Sequence, residues 1–191
     1  MDWVIWLTVA AGNVCYLEGI DNVPRERDLR RGVPFGNSFP KDARMDMSKR
    51  HKKETGLNDE LPNDRSSKVC SKRLVDFLRS KKLPAVEYLP VKIIDHKGKV
   101  ASADYFIVHP VNLQPALDLK ASKPTYNTIL TTQIDEVERL VLDPKGIAPG
   151  LRMFRLVGLS RPVLVDRALA DEMTKQKFVG TEFVELEDWE Q

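Results

Sequence analysis

The sequence predicts an α+β domain with a mostly antiparallel sheet, and three observations predict it. Residues 86–108 carry two strand patterns about a glycine turn, a β-hairpin signal. Residues 69–91 align without gaps on residues 164–186, an offset of 95, and each copy reads as strand end, capped helix and strand. Hydrophobic residues make up 42% and charged residues 30% of 191 residues, enough for one packed core and too apolar for wholesale disorder. Chance likeness of two amphipathic helices, each followed by a strand, is the alternative to a true repeat.

The elements follow in chain order. Residues 3–9 read as a buried strand rich in aromatic and β-branched residues. The apolar run 3–11 lacks a basic flank and is too short for a bilayer, which needs about 20 residues, so a cytoplasmic protein is expected. Residues 24–65 are rich in proline and glycine. Within 24–53, ten Lys and Arg face four Asp and Glu. With only Phe35 and Phe39 interleaved, this reads as a solvated, loop-rich basic segment lying over the domain, rather than a nucleic-acid arm. The chain is expected to form a single domain over 1–191, with this segment set apart from an α+β core at 66–191.

In the repeat, Ser71 and Asp166 fall at matching places as N-caps, where a short side-chain oxygen accepts from free helix N–H groups. Helix 72–81 then puts Leu74, Val75 and Leu78 on one face, and helix 167–177 puts Leu169, Ala170 and Met173 on the equivalent one. Strand 86–94 contains Pro90, which argues for an edge or a bulge. Gly98 permits the turn, and residues 105–108 return. Residues 140–142 and 153–157 read as further strands, joined by turn-forming residues 143–150.

The sequence nominates no catalytic or metal site. His51, His96 and His109 stand in no ligand spacing, and there is no GxSxG elbow, phosphate loop or dinucleotide fingerprint. Cys15 and Cys70 form no CxxC and read as reduced, buried thiols. No cofactor is therefore expected. Thirty basic residues against 28 acidic ones leave +2, which gives no general pull towards nucleic acid or an anionic membrane. Asp118, inside an apolar stretch and four residues before Ser122, is the best lone acid. Its structural alternative, a carboxylate accepting hydrogen bonds at a turn or helix start, is preferred. The clearest charge feature is residues 181–191, with five acids and no base beside Trp189. It reads either as an edge strand protected by charge or as a face for a basic partner.

Several pieces then occur in a familiar order: 59–64 (DELPND), 69–78 (VCSKRLVDFL), 86–91 (VEYLPV), 105–122 (YFIVHPVNLQPALDLKAS), 140–143 (LVLD), 153–156 (MFRL), and the closing helix with 182–185 (EFVE). This ordered set, over 59–191, resembles the myxobacterial-type immunity protein eleven family of polymorphic-toxin systems. His109-Pro110 departs from the family pattern, and 24–58 match nothing nameable. The resemblance implies a non-enzymatic protein that binds a cognate toxin and protects the producing cell. It also implies structural roles for the motif residues Ser71, Asp118, Ser122 and Phe154. Glu182, Glu185, Glu187, Asp188, Trp189 and Glu190 are the candidate partner-binding residues for a basic toxin, and the basic stretch 25–53 is the alternative surface for an acidic one. Two other readings stay open: an enzyme or ligand-binding protein with a cleft where Asp118, Ser122 and His109 converge, and a nucleic-acid-binding regulator using 25–53.

Overall fold

The computed structural model describes residues 2–189. Two sheets share the strands. In the first, β2 (Leu17–Asp21), β3 (Arg44–Met47), β6 (Val86–Ile94), β7 (Val100–Pro110), β5 (Lys68–Ser71) and β4 (Glu60–Leu61) lie side by side in that order. In the second the order is β13 (Thr181–Glu185), β1 (Trp3–Thr8), β12 (Val163–Asp166), β11 (Met153–Leu156) and β8 (Leu113–Gln114). A separate ribbon pairs β9 (Pro124–Tyr126) with β10 (Ile134–Val137). Among the described strands, β3–β6 and β8–β11 pair in parallel and the other strand pairs are antiparallel. With helices α1 (Glu26–Arg31), α2 (Lys72–Ser80), α3 (Leu119–Ser122) and α4 (Arg167–Lys175), the α+β class is as the sequence predicts.

The repeat explains the two sheets. β5-α2-β6 and β12-α4-β13 match at the offset of 95, and the local backbone matches too. Ser71 and Asp166 each cap their helix, accepting from the N–H groups of Leu74 and Leu169. Past the helix ends, Lys82 and Lys177 both take positive φ, 52° and 54°, and so do Ala85 and Gly180. Each unit then grips one antiparallel strand between its own two. For the first unit this is β7, the next strand along the chain. For the second it is β1, a strand more than 150 residues away in sequence. Each unit thereby supplies two strands of its own sheet.

The helices are sandwiched. Leu74, Val75 and Leu78 of α2 and Leu169, Ala170 and Met173 of α4 join one buried cluster with Val4 and Trp6, Cys70, Val108, Val163 and Val165. Alternate residues point the other way, as the strand period of two requires. Tyr105 and Ile107 face a core beneath the first sheet, while Trp3, Ile5 and Leu164 face one beneath the second. A polar seam joins the sheets across β4. Glu60 is fully buried; it accepts from the Trp6 indole at 2.6 Å and from the Thr8 hydroxyl, and pairs with Lys68 at 3.2 Å. The Glu60 backbone N–H donates to the carbonyl of Val179 at 3.0 Å.

Several sequence expectations change in detail. Residues 24–65 are loop-rich, but they carry α1, β3 and β4 and bury Leu29, Phe35, Met45, Met47 and Leu61 in the first sheet's core. The signal was present in Met45 and Met47, which alternate with exposed Arg44 and Asp46. Residues 140–142 form no strand. Only Leu142 bridges to Leu117, because the backbone of Val141 is occupied by the hydroxyl of Ser122 and the N–H of Asp118. Pro90 pairs with Phe106 on one side, while β3 reaches β6 only from Lys92 onward, so the other side of Pro90 is left open as an edge would be. Cys15 and Cys70 are free and buried; burial pushes the Cys15 thiol up to about 11 and Cys70 well above its ordinary value. Both are poor nucleophiles for that reason.

His109 near the end of β7 is also buried. Its Nε2 lies 3.0 Å from the carbonyl of Val33, its ring meets Phe35 edge-on, and Nδ1 has no partner. Burial pushes its pKa below the ordinary 6.5, with a push in the same direction from Arg155. Below 6.5 the unfolded chain takes up a proton that the folded imidazole resists, so folding stability must fall with pH there. The urea midpoint of the protein is therefore expected to drop between about pH 7.5 and 5. His109→Gln, which keeps a donor for Val33 and carries no charge, should drop less. Identical slopes would show that another group sets the acid sensitivity.

Candidate protein-binding surface

The family-motif residues sit where packing needs them. Ser71 caps α2 and donates to the Asp59 carboxylate at 2.9 Å. Asp118 caps α3, accepting from the Ala121 N–H at 2.9 Å. Ser122 is fully buried; its hydroxyl donates to the carbonyl of Val141 at 3.2 Å and accepts from the Val141 N–H at 3.1 Å. Phe154 is fully buried with its ring edge-on to Trp3 at 4.7 Å. Ser122→Ala leaves the Val141 N–H unpaired and is expected to cost about 1–3 kcal/mol in urea unfolding. A loss below about 0.5 kcal/mol would mean that these bonds do not hold the 116–143 segment together.

Asp118, Ser122 and His109 do not converge on one cleft. His109 contacts Val33 and Phe35, whereas Asp118 and Ser122 contact Ala121 and Val141, and none of the three lines the cavities described here. Among the described residues, no group of three or more His, Cys, Asp or Glu is arranged to hold a metal ion. No helix among them is long and apolar enough to cross a membrane.

The acidic stretch is placed on the edge of the second sheet. β13 pairs with β1 on one side and is open on the other. Glu182, Glu187 and Asp188 are exposed and form no ion pair among the described residues. Glu185 is half-buried and committed: Arg167 bridges it to Asp2, donating to Glu185 at 2.7 Å and to Asp2 at 2.9 Å. These two carboxylates push the Arg167 pKa further up. Trp189 is half-buried and, like Leu7, Val184 and Leu186, packs against the core cluster that holds Trp3, Ile5 and Phe154. Glu190 lies outside the described residues.

Beside this edge runs a cavity of about 720 Å³. Trp3, Leu140, Leu142, Ile147 and Leu186 make it apolar, and Pro144 and Pro149 stiffen one wall. Asp2, Glu185 and Glu187 line it as well, opposed by Arg139 alone. An apolar groove with a charged rim is the layout of a protein interface, in which the desolvated centre supplies affinity and the rim supplies orientation and rate. Sequence reading found the acidic residues but missed the groove, whose walls come from residues 2–3, 139–149 and 185–187.

The model of the Immunity protein family (Imm11) matches residues 17–188 of this chain. The chain belongs to the Imm11 immunity protein family. The match includes the basic segment 24–58, which the sequence motifs left unassigned, and almost the whole acidic edge. Among curated proteins no relative matches the chain. Membership in Imm11 points to toxin immunity, and so to a toxin as partner and a non-enzymatic role.

Proposed function

We propose that this Imm11 protein neutralises a cognate toxin domain by direct contact, and that the acidic β13 edge with its neighbouring groove is the contact surface. The observation that carries the reading is a juxtaposition: Glu187, exposed and outside any ion pair among the described residues, lines an apolar cavity, with exposed Asp188 next to it in the chain and exposed Glu182 further along the same strand edge. Unshared exposed carboxylates do little for the fold, since surface charges contribute about 0–1 kcal/mol even when paired. Beside an apolar groove they would steer a basic toxin surface into place and raise its association rate. Trp189, half-buried at the end of the stretch, supplies an aromatic anchor of the kind that dominates interface energetics. Occupying or distorting the toxin's active site would then block its chemistry.

The test is co-purification with the C-terminal domain of any toxin encoded beside this chain, together with growth of cells expressing that toxin. A stoichiometric complex and restored growth are the expected results. Absence of a complex, with growth unrestored, would overturn direct neutralisation.

A further inference from the structure

A second cavity, of about 650 Å³, opens where α1 meets the loops around residues 130 and 160. Arg27, Arg30 and Arg31 line it, spaced so that one face of α1 carries all three, and Arg161 lines it from the far side. No carboxylate lines it. The acids of α1 are used elsewhere: Asp28 pairs with Arg25 at 3.4 Å, and Glu26 pairs with Arg65 at 3.7 Å. The four cavity arginines form no ion pair among the described residues. Their wall is braced, because the Ser160 hydroxyl donates to the carbonyl of Arg30 at 2.6 Å and the Ser160 carbonyl accepts from buried Arg155 at 2.6 Å. Next to the guanidiniums stand aliphatic side chains exposed to water. Leu130 and Val157 are half exposed within the cavity lining, and Ile129 beside them is 87% exposed.

Four like charges held together without a counter-charge repel one another, and exposed branched aliphatics gain nothing from water. Both costs are relieved by the same occupant. We propose that this cavity receives a carboxylate-rich segment of the toxin that also bears an aliphatic side chain. Guanidinium groups bind carboxylates through paired N–H···O contacts, and arginine is enriched where interfaces carry their energy. The aliphatic side chain would cover Leu130 and Val157. A nucleic acid fits less well, because no aromatic side chain lines the cavity for a base to stack on. The identity of the partner rests on the immunity reading; the acidic, aliphatic chemistry of the ligand does not. The toxin would then be gripped at two oppositely charged surfaces, its basic face at β13 and its acidic segment here.

The experiment has two arms. In the first, affinity for the domain of any toxin encoded beside this chain is measured for the protein and for Arg27→Glu/Arg30→Glu/Arg31→Glu, with unchanged thermal unfolding confirming that the exposed substitutions leave the fold intact. Weakening by at least about tenfold is expected, shrinking as salt is added. Binding by the wild type with an unchanged affinity in the variant overturns this inference and leaves the immunity reading standing. If the wild type binds no toxin, the immunity reading fails and the second arm decides the chemistry. There, a fluorescein-labelled peptide of alternating glutamate and leucine is titrated against both proteins, with a lysine–leucine peptide and a single-stranded oligonucleotide as controls. Saturable, salt-sensitive binding of the acidic peptide alone, weakened about tenfold in the variant, supports the acidic-segment chemistry. No binding of that peptide, equal binding by the variant, or preference for the oligonucleotide overturns it.

Discussion

Glu60→Gln is expected to destabilise the protein by about 3–5 kcal/mol. Glu60 is fully buried and Lys68 nearly so, and the two answer each other at 3.2 Å. Burial pushes the Glu60 pKa up and the Lys68 pKa down, and each partner opposes the push on the other. Removing the carboxylate charge leaves a largely buried ammonium group beside the Thr8 hydroxyl, at 3.0 Å, and the face of the Trp6 ring. Lys68→Met should cost a similar amount by stranding Glu60. The double variant Glu60→Gln/Lys68→Met keeps an acceptor for Trp6 and strands no charge, so it should recover at least half of the loss. Urea unfolding of the four proteins measures this directly. A cost below about 1 kcal/mol for Glu60→Gln would show that the seam is hydrated and that the two sheets are held by apolar packing alone.

The second large effect concerns the acidic edge. Glu182→Lys/Glu187→Lys/Asp188→Lys is expected to weaken the toxin complex about 100-fold at low salt, mainly through slower association. Raising the salt should narrow the gap, because exposed charges are screened over about 8–10 Å at physiological ionic strength. Unfolding stability should stay within about 0.5 kcal/mol of the wild type, since none of the three carboxylates forms an ion pair among the described residues. Glu185 is left in place because its bridge to Arg167 and Asp2 ties β13 to the start of β1 and α4. Stopped-flow association at two salt concentrations separates the outcomes. An unchanged rate at low salt would remove the acidic edge from the interface.

Much of the architecture was written locally. The caps Ser71 and Asp166, the apolar faces they precede and the hairpin turn at Gly98 depend on residues within a few positions of one another, so a single sequence shows them. The thiols, too, read as buried and reduced from their setting alone. The candidate surface was legible only in part. Glu182, Glu187 and Asp188 stood out as a run of acids, yet nothing in that run distinguishes them from Glu185, which a partner in α4 neutralises. The basic segment behaved likewise. Its excess of positive charge is evident in the sequence, but which arginines stay unpaired depends on Asp28, Arg65 and the loop at Arg161 reaching the same place.

The α+β class, the repeated strand–helix–strand unit, the buried cysteines and the two oppositely charged stretches are legible in the chain alone, because each follows from periodicity, capping or composition over short distances. Tertiary structure decided the rest. It chose β1 as the strand that completes the second unit, turned Ser122 from a possible reactive group into a brace for Val141, kept His109 away from Asp118, and assembled both grooves from distant segments. The physical reason is common to all of these. Strand pairing and groove formation are contacts between residues far apart in the chain, selected by which apolar faces can be buried together, and no local pattern records that choice.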